Sequence, residues 1–186
     1  MSVVSSLVQL YNSVLSDSGI KSYAFEKLIE LCKDNDCSEI VIERARQVVQ
    51  TSKDWKLSDE ERKSLYKTIG GILDQLGDST YAFKVMHAYL RLFKASDAKG
   101  MEEAQTEARR CVILAIKALD VINFAELLDL PVIKKLQDKN EKVFKLLNLL
   151  SQSSAKEFAG KMKEFKDLMA TENVTDKELI TKKSYV

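Results

Sequence analysis

Apolar residues in this chain return every third or fourth position, in runs broken by polar turn residues. Residues 57–86, LSDEERKSLYKTIGGILDQLGDSTYAFKVM, show the pattern most fully. Ser58 stands three before Glu61, the spacing at which each side chain satisfies the other's free backbone N–H at a helix start. Leu65, Ile69, Ile72, Leu73 and Leu76 then mark one helix face, and Gly77 falls where a left-handed stop residue belongs. Asp78 or Ser79 can cap a second helix with its own stripe, Ala82, Val85, Met86, Tyr89, Leu90 and Phe93. So short a gap folds the two helices back on each other. Gly70 and Gly71 each cost about 1 kcal/mol against Ala inside a helix, so they read as a notch for a neighbour's close approach.

The same punctuation extends both ways. Val4, Leu7, Val8, Tyr11 and Val14 form a stripe, SDSG a loop, and Ser22 the start of a helix through Phe25, Leu28, Ile29 and Cys32. After CKDND, Ser38 can cap a helix with Val41, Ile42, Ala45, Val48 and Val49, ended by TSKD before Trp55. Beyond the loop KASDAKG a long helix carries Ala104, Ala108, Cys111, Val112, Ala115, Ile116 and Leu119, with EEAQTEARR on its wet side. DVINFAELLDL predicts a short helix, and Pro131 suits the first turn of PVIKKLQ because its missing N–H is not needed there. EKVFKLLNLL comes next. Ser154 and Glu157 make a second capping box before AKEFAGKMKEFKDLM, with Phe158, Met162, Phe165 and Met169 on one face. The expected architecture is all-α: a right-handed stack of antiparallel helix pairs, a TPR- or HEAT-like helical repeat, over residues 1–170. Residues 171–186 read as a polar, frayed tail.

Composition sharpens this. Six Gly and one Pro in 186 residues are far too few turn formers for a protein of short strands. Charged residues at 31% and hydrophobic ones at 45% describe a chain that folds. The net charge of +1 supplies no global field for a polyanion. No apolar window reaches membrane-spanning length, and the three cysteines with no leader pattern point to a reducing, intracellular compartment.

Chemistry is sparse. His87 is the one histidine, and no nucleophile, base and orienter set can be named around it, so it reads as a partly buried or solvated residue beside the stripe. Cys32, Cys37, Cys111 and His87 do not assemble zinc-ligand spacing. Asp34, Asp36 and Ser38 match the start of a calcium loop, but Glu39 stands where Gly is required and Ala45 at the twelfth position. No phosphate-cradling, zinc-peptidase or nucleophile-elbow motif occurs. The expectation is therefore no enzyme, no catalytic or metal residue, no cofactor and no membrane. Lys134, Lys135, Lys139, Lys142 and Lys145, with Lys156, Lys161, Lys163 and Lys166, are interleaved with acids and read as a solvated face. Direct RNA contact through them is an alternative. Ser184, Tyr185 and Val186 have the form of a carboxylate-capture peptide.

Taken in series, SLVQLYNSV, SYAFEKLIELC, the segment from Asp54 and Trp55 through Leu90, EAQTEARRCVILAIKAL and FAELLDLPVIKKLQ resemble the M-subunit family of eukaryotic translation initiation factor three. Its most specific parts are Trp55, Ala82 to Met86, the Arg109-Arg110-Cys111 helix and Leu127 to Leu136 around Pro131. The resemblance implies a PCI-domain protein, in which stacked helix pairs precede a winged helix. It implies a non-catalytic, cytoplasmic scaffold subunit whose partners are the factor's other subunits and, through the complex, the small ribosomal subunit. Neither the upstream helices nor the alternating strands of a winged helix are visible, so the expectation is a helical-repeat fragment. Subunits of the signalosome and proteasome lid share this architecture and are the rival assignment. Protein-binding residues cannot be read from the sequence, because exposed apolar side chains and core ones carry the same periodicity.

Overall fold

The computed structural model describes Ser6, Gln9, residues 18–34 and residues 43–186. The first apolar stripe, Asp36, Cys37, the Ser38 cap, Val41 and Ile42 lie outside the described residues. Among the described residues every regular element is helical. The chain forms two compact units, Met1–Leu92 and Phe93–Val186.

In the first unit, helix α1 (Ser18–Asp34) buries Ala24, Phe25, Leu28 and Ile29. It starts earlier than expected: Ser22 lies inside the helix and is buried. Ser and Gly are tolerated in a first helical turn, where the N–H groups have no intrahelical acceptor, so the composition of SDSG does not by itself stop a helix. Trp55 meets Phe25 edge-on at 5.6 Å between ring centroids, a favoured arrangement for two aromatic rings. The short helix α2 (Val48–Thr51) precedes it.

Helix α3 (Asp59–Gln75) and helix α4 (Ser79–Leu90) are the expected pair. The Ser58–Glu61 capping box is complete, and Asp78 accepts from the Tyr81 N–H to cap α4. Gly77 has φ +79°, a conformation that strains any side chain with a Cβ. Gly70 packs on Met86, residues nearly equidistant from the Leu76–Asp78 turn, so the helices fold back on each other. A Cβ on Gly70 would sit 2.5 Å from the Met86 sulfur, which makes the notch real. Leu65, Ile69, Leu73, Ala82, Met86 and Leu90 are all fully buried. At roughly 1.5–3 kcal/mol for each large side chain, that burial outweighs the glycine several times over. A buried hydroxyl pair, Ser52 to Tyr66 at 2.9 Å, satisfies two polar groups within this core.

The second unit is built on helix α6 (Gln105–Lys117), preceded by α5 (Ala98–Glu103). The supposed loop KASDAKG is half helix, because Asp97 accepts from the Gly100 N–H and starts α5. Cys111, Val112, Ala115 and Ile116 are buried as expected. The wet side is not wholly wet: Gln105 and Glu107 are buried too. Gln105 is accommodated because its amide donates to the Met101 and Val132 carbonyls at 2.9 and 3.4 Å. Leu119 leaves the stripe for the opposite reason: α6 ends at Lys117, Ala118 turns extended, and Leu119 is 56% exposed.

Short helices α7 (Ala125–Leu128), α8 (Pro131–Lys134) and α9 (Leu136–Lys139) come next, with Pro131 in the first turn of α8. Helix α10 (Glu141–Gln152) buries Val143, Leu146, Leu147 and Leu150. The second capping box opens α11 (Ala155–Lys161), but a 3₁₀ turn at Met162–Phe165 separates it from α12 (Lys166–Thr171). The tighter turn still leaves Phe158, Phe165 and Met169 buried.

The stretch expected to fray contains helix α13 (Asp176–Tyr185), opened by a third capping box, Thr175 with Glu178. Leu179 anchors it, and Lys182 is buried beside it. A sequence poor in apolar residues can still dock when a long side chain finds an acceptor inside, as Lys182 does.

Candidate functional site

The side chains that packing leaves over can be named from the structure. On α1, Ile20 and Tyr23 are exposed, at 52% and 62%, with the Lys27 ammonium 5.7 Å from the Tyr23 ring. Their spacing puts them on a face distinct from the buried Phe25, Leu28 and Ile29. In the second unit Leu119 and Ile122 project from the connection after α6, and Ile180 and Tyr185 from α13, each more than half exposed. These are the residues that periodicity could not separate from the core. Leu119 shows why: it completes the α6 stripe in register, and only the position of the helix end exposes it.

A groove of about 660 Å³ runs beside α10 in the same unit. Glu141, Phe144, Lys145, Asn148, Leu149 and Gln152 form one wall, the helix face opposite its core side, and Lys161, Glu164 and Phe165 stand across from it. Its polar groups are largely engaged at home. Lys145 pairs with Glu141 at 2.6 Å, Asn148 donates to the Phe144 carbonyl, and Ser153 donates to the Leu149 carbonyl. Nothing there is poised as an acid, base or nucleophile.

The lysine cluster is compensated in place. Lys134 pairs with Asp129 at 3.6 Å and Lys135 with Glu102 at 3.9 Å, while Lys139 also binds Glu102. Hydrogen bonding from Lys139, aided by the charges of Lys139 and Lys135, holds the Glu102 carboxyl below the usual carboxylate range. Carboxylates seated among lysines in this way compete with a phosphate backbone. Lys156, Lys163 and Lys166 are exposed on the next segment.

Of the other residues weighed for chemistry, the side chains of Cys32, Asp34, Asp36, Cys37 and Ser38 lie outside the described residues, and His87 and Cys111 belong to different units. His87 is half-buried and stacks on Phe83, 5.6 Å between centroids at 19°. Cys111 is fully buried in α6, where desolvation pushes its thiol well above the ordinary value and makes it unreactive. Among the described residues no group of three or more His, Cys, Asp or Glu side chains could hold a metal ion. Ser184 and Tyr185 close a helix, with the Ser184 hydroxyl donating to the Thr181 carbonyl, so they do not offer an extended strand. Among the described residues no helix is long and apolar enough to cross a membrane.

No model of a known protein family matches the chain. It is similar to eukaryotic translation initiation factor 3 subunit M of Dictyostelium discoideum, 23% identical over 180 residues, covering 95% of this chain and 44% of that protein. The same subunit of Phaeosphaeria nodorum is 20% identical over 164 residues, 88% of this chain and 36% of its own length. The chain thus spans less than half the length of the relatives it matches.

Proposed function

We propose that this chain is a non-catalytic scaffold segment of eukaryotic translation initiation factor 3, acting in the cytoplasm by presenting helix faces to the other subunits. The likeness to subunit M, spread over nearly the whole chain rather than confined to one motif, is the observation that carries this reading. The folded-back pair α3–α4 of the first unit supports the helix-pair architecture that such a scaffold would use. Exposed apolar residues such as Tyr23 and Leu119 are the contacts such a scaffold would use, since large hydrophobic side chains kept in water mark interaction sites when they group together.

The test is recovery of partners. The full chain, tagged and expressed in eukaryotic cells, is expected to bring down initiation-factor subunits and, with them, the small ribosomal subunit. Recovery of signalosome or proteasome-lid subunits in their place would assign it to the rival assemblies. Binding to RNA alone, steeply weakened by salt, would instead point to the lysines of residues 134–166.

A further inference from the structure

Helix α13 is attached by an unusual pair of bonds. Lys182, with no exposed surface, donates through Nζ to the carbonyl of Ala118, the C-cap residue of α6. Lys183, the next residue, donates to the Leu150 carbonyl at 2.6 Å, in the last turn of α10. The Leu150 carbonyl, in a last helical turn, has no intrahelical donor; the Ala118 carbonyl, just past the end of α6 where the backbone turns extended, also accepts from the Val121 N–H at 3.2 Å. Two successive lysines thus fasten one helix across the ends of two others. Lys182 also lies 5.3 Å from the centre of the buried Phe124 ring, an attraction that favours its cation.

We propose that α13 is a detachable clasp, fastened by Lys182 and Lys183 to the ends of α6 and α10, and that it docks more tightly as Lys182 loses its proton. The neutral amine keeps N–H groups for the Ala118 carbonyl and sheds the cost of taking a charge out of water. Desolvation lowers Lys182 from its ordinary 10.5 to about 8, with the Asp120 carboxylate partly opposing it. On α13, Glu178 is held by the Thr175 backbone and hydroxyl and also feels Lys117 of α6. The last turn of α10 carries no ionisable residue, and Lys156, Glu157 and Lys161 of α11 are exposed. Between about 8 and 10.5 the undocked helix binds more protons than the docked one. Docking therefore strengthens as pH rises through that window and is weakest, and constant, below it. Near neutrality the clasp sits at the loose end of its range, and lifting it would uncover Phe124 and two helix ends.

Hydrogen exchange on the full chain tests this, with rates expressed as protection relative to the unstructured peptide. Protection of the Leu179 to Ser184 amides is expected to rise about tenfold between pH 7 and pH 9. Amides of α3 serve as the reference and should not change in step. Lys182→Met, which fills the same space without a charge, should give high protection at both pH values, whereas Lys182→Arg should stay low at both. Wild-type protection that changes less than twofold over this range would overturn the proposal. So would a tenfold rise that persists in Lys182→Arg, a comparison that stands even if Lys182→Met does not fold.

Discussion

Gly70 and Gly77, two turns of helix apart, are kept as glycine for different physical reasons, one for packing and the other for backbone conformation. Gly77 has open space where a side-chain methyl would go but φ +79°, so Gly77→Ala costs backbone energy alone, about 1 kcal/mol. Gly70 has an ordinary helical backbone but no room, since Met86 occupies the space of its Cβ. Gly70→Leu is therefore expected to destabilise by about 1–3 kcal/mol through overpacking. Gly70→Ala should cost less, because gained helix propensity offsets displacement of a flexible methionine. Urea midpoints for the three variants decide it: if Gly70→Leu is as stable as wild type, the notch is not a packing contact. At this scale the sequence was informative where one residue type answers one geometric need. Gly77 as a stop and Ser58 as a cap are such cases. Lys182 is the converse: nothing in its own identity marks a buried lysine, and only its place three residues after Leu179 puts it on the docked face.

Helix starts were the most legible elements, because a capping box is a local device with both partners within four residues. Ser58 with Glu61 and Ser154 with Glu157 form as read, whereas Thr175 with Glu178, which the same rule would have found, was hidden by the polarity of the helix it opens. Helix ends were harder. Whether α6 stops at Lys117 or continues through Leu119 depends on tertiary contacts made by Ala118, and so the apolar stripe was extended too far. The caps also predict an acid response. Hydrogen bonds from the Thr175 backbone N–H and hydroxyl lower the Glu178 carboxyl below 4.5, and bonds from the Ser154 backbone N–H and hydroxyl do the same for Glu157. Their stabilisation is present above the unfolded value and is lost as pH falls through the folded one. Protection of the first turns of α11 and α13 should accordingly drop as pH falls from about 5 to about 3; Thr175→Ala, which keeps the backbone N–H but loses the hydroxyl, should reduce the effect in α13 alone, and Glu178→Gln should remove it there. A wild-type α13 whose protection falls no further between about pH 5 and about pH 3 than that of its Glu178→Gln variant would show that the cap does not hold it.

For the molecule as a whole, the question is which exposed side chains make contacts with partners and which are merely tolerated in water. Single apolar residues on a surface are ordinary. The proposed scaffold role instead requires that some of them cost association when changed while costing the fold nothing. Leu119 and Ile122 suit this test because both are more than half exposed and lie outside helices. Leu119→Asp with Ile122→Asp should leave the unfolding free energy within about 0.5 kcal/mol of wild type, as surface changes do. Recovery of partner subunits should fall at least about tenfold, or 1.4 kcal/mol, when these residues sit near the centre of an interface. Tyr23→Ala on α1 makes the same test for the first unit. Undiminished recovery with both sets of substitutions would move the interface away from these faces, leaving the groove beside α10 as the surface to change next, beginning with Phe144→Glu.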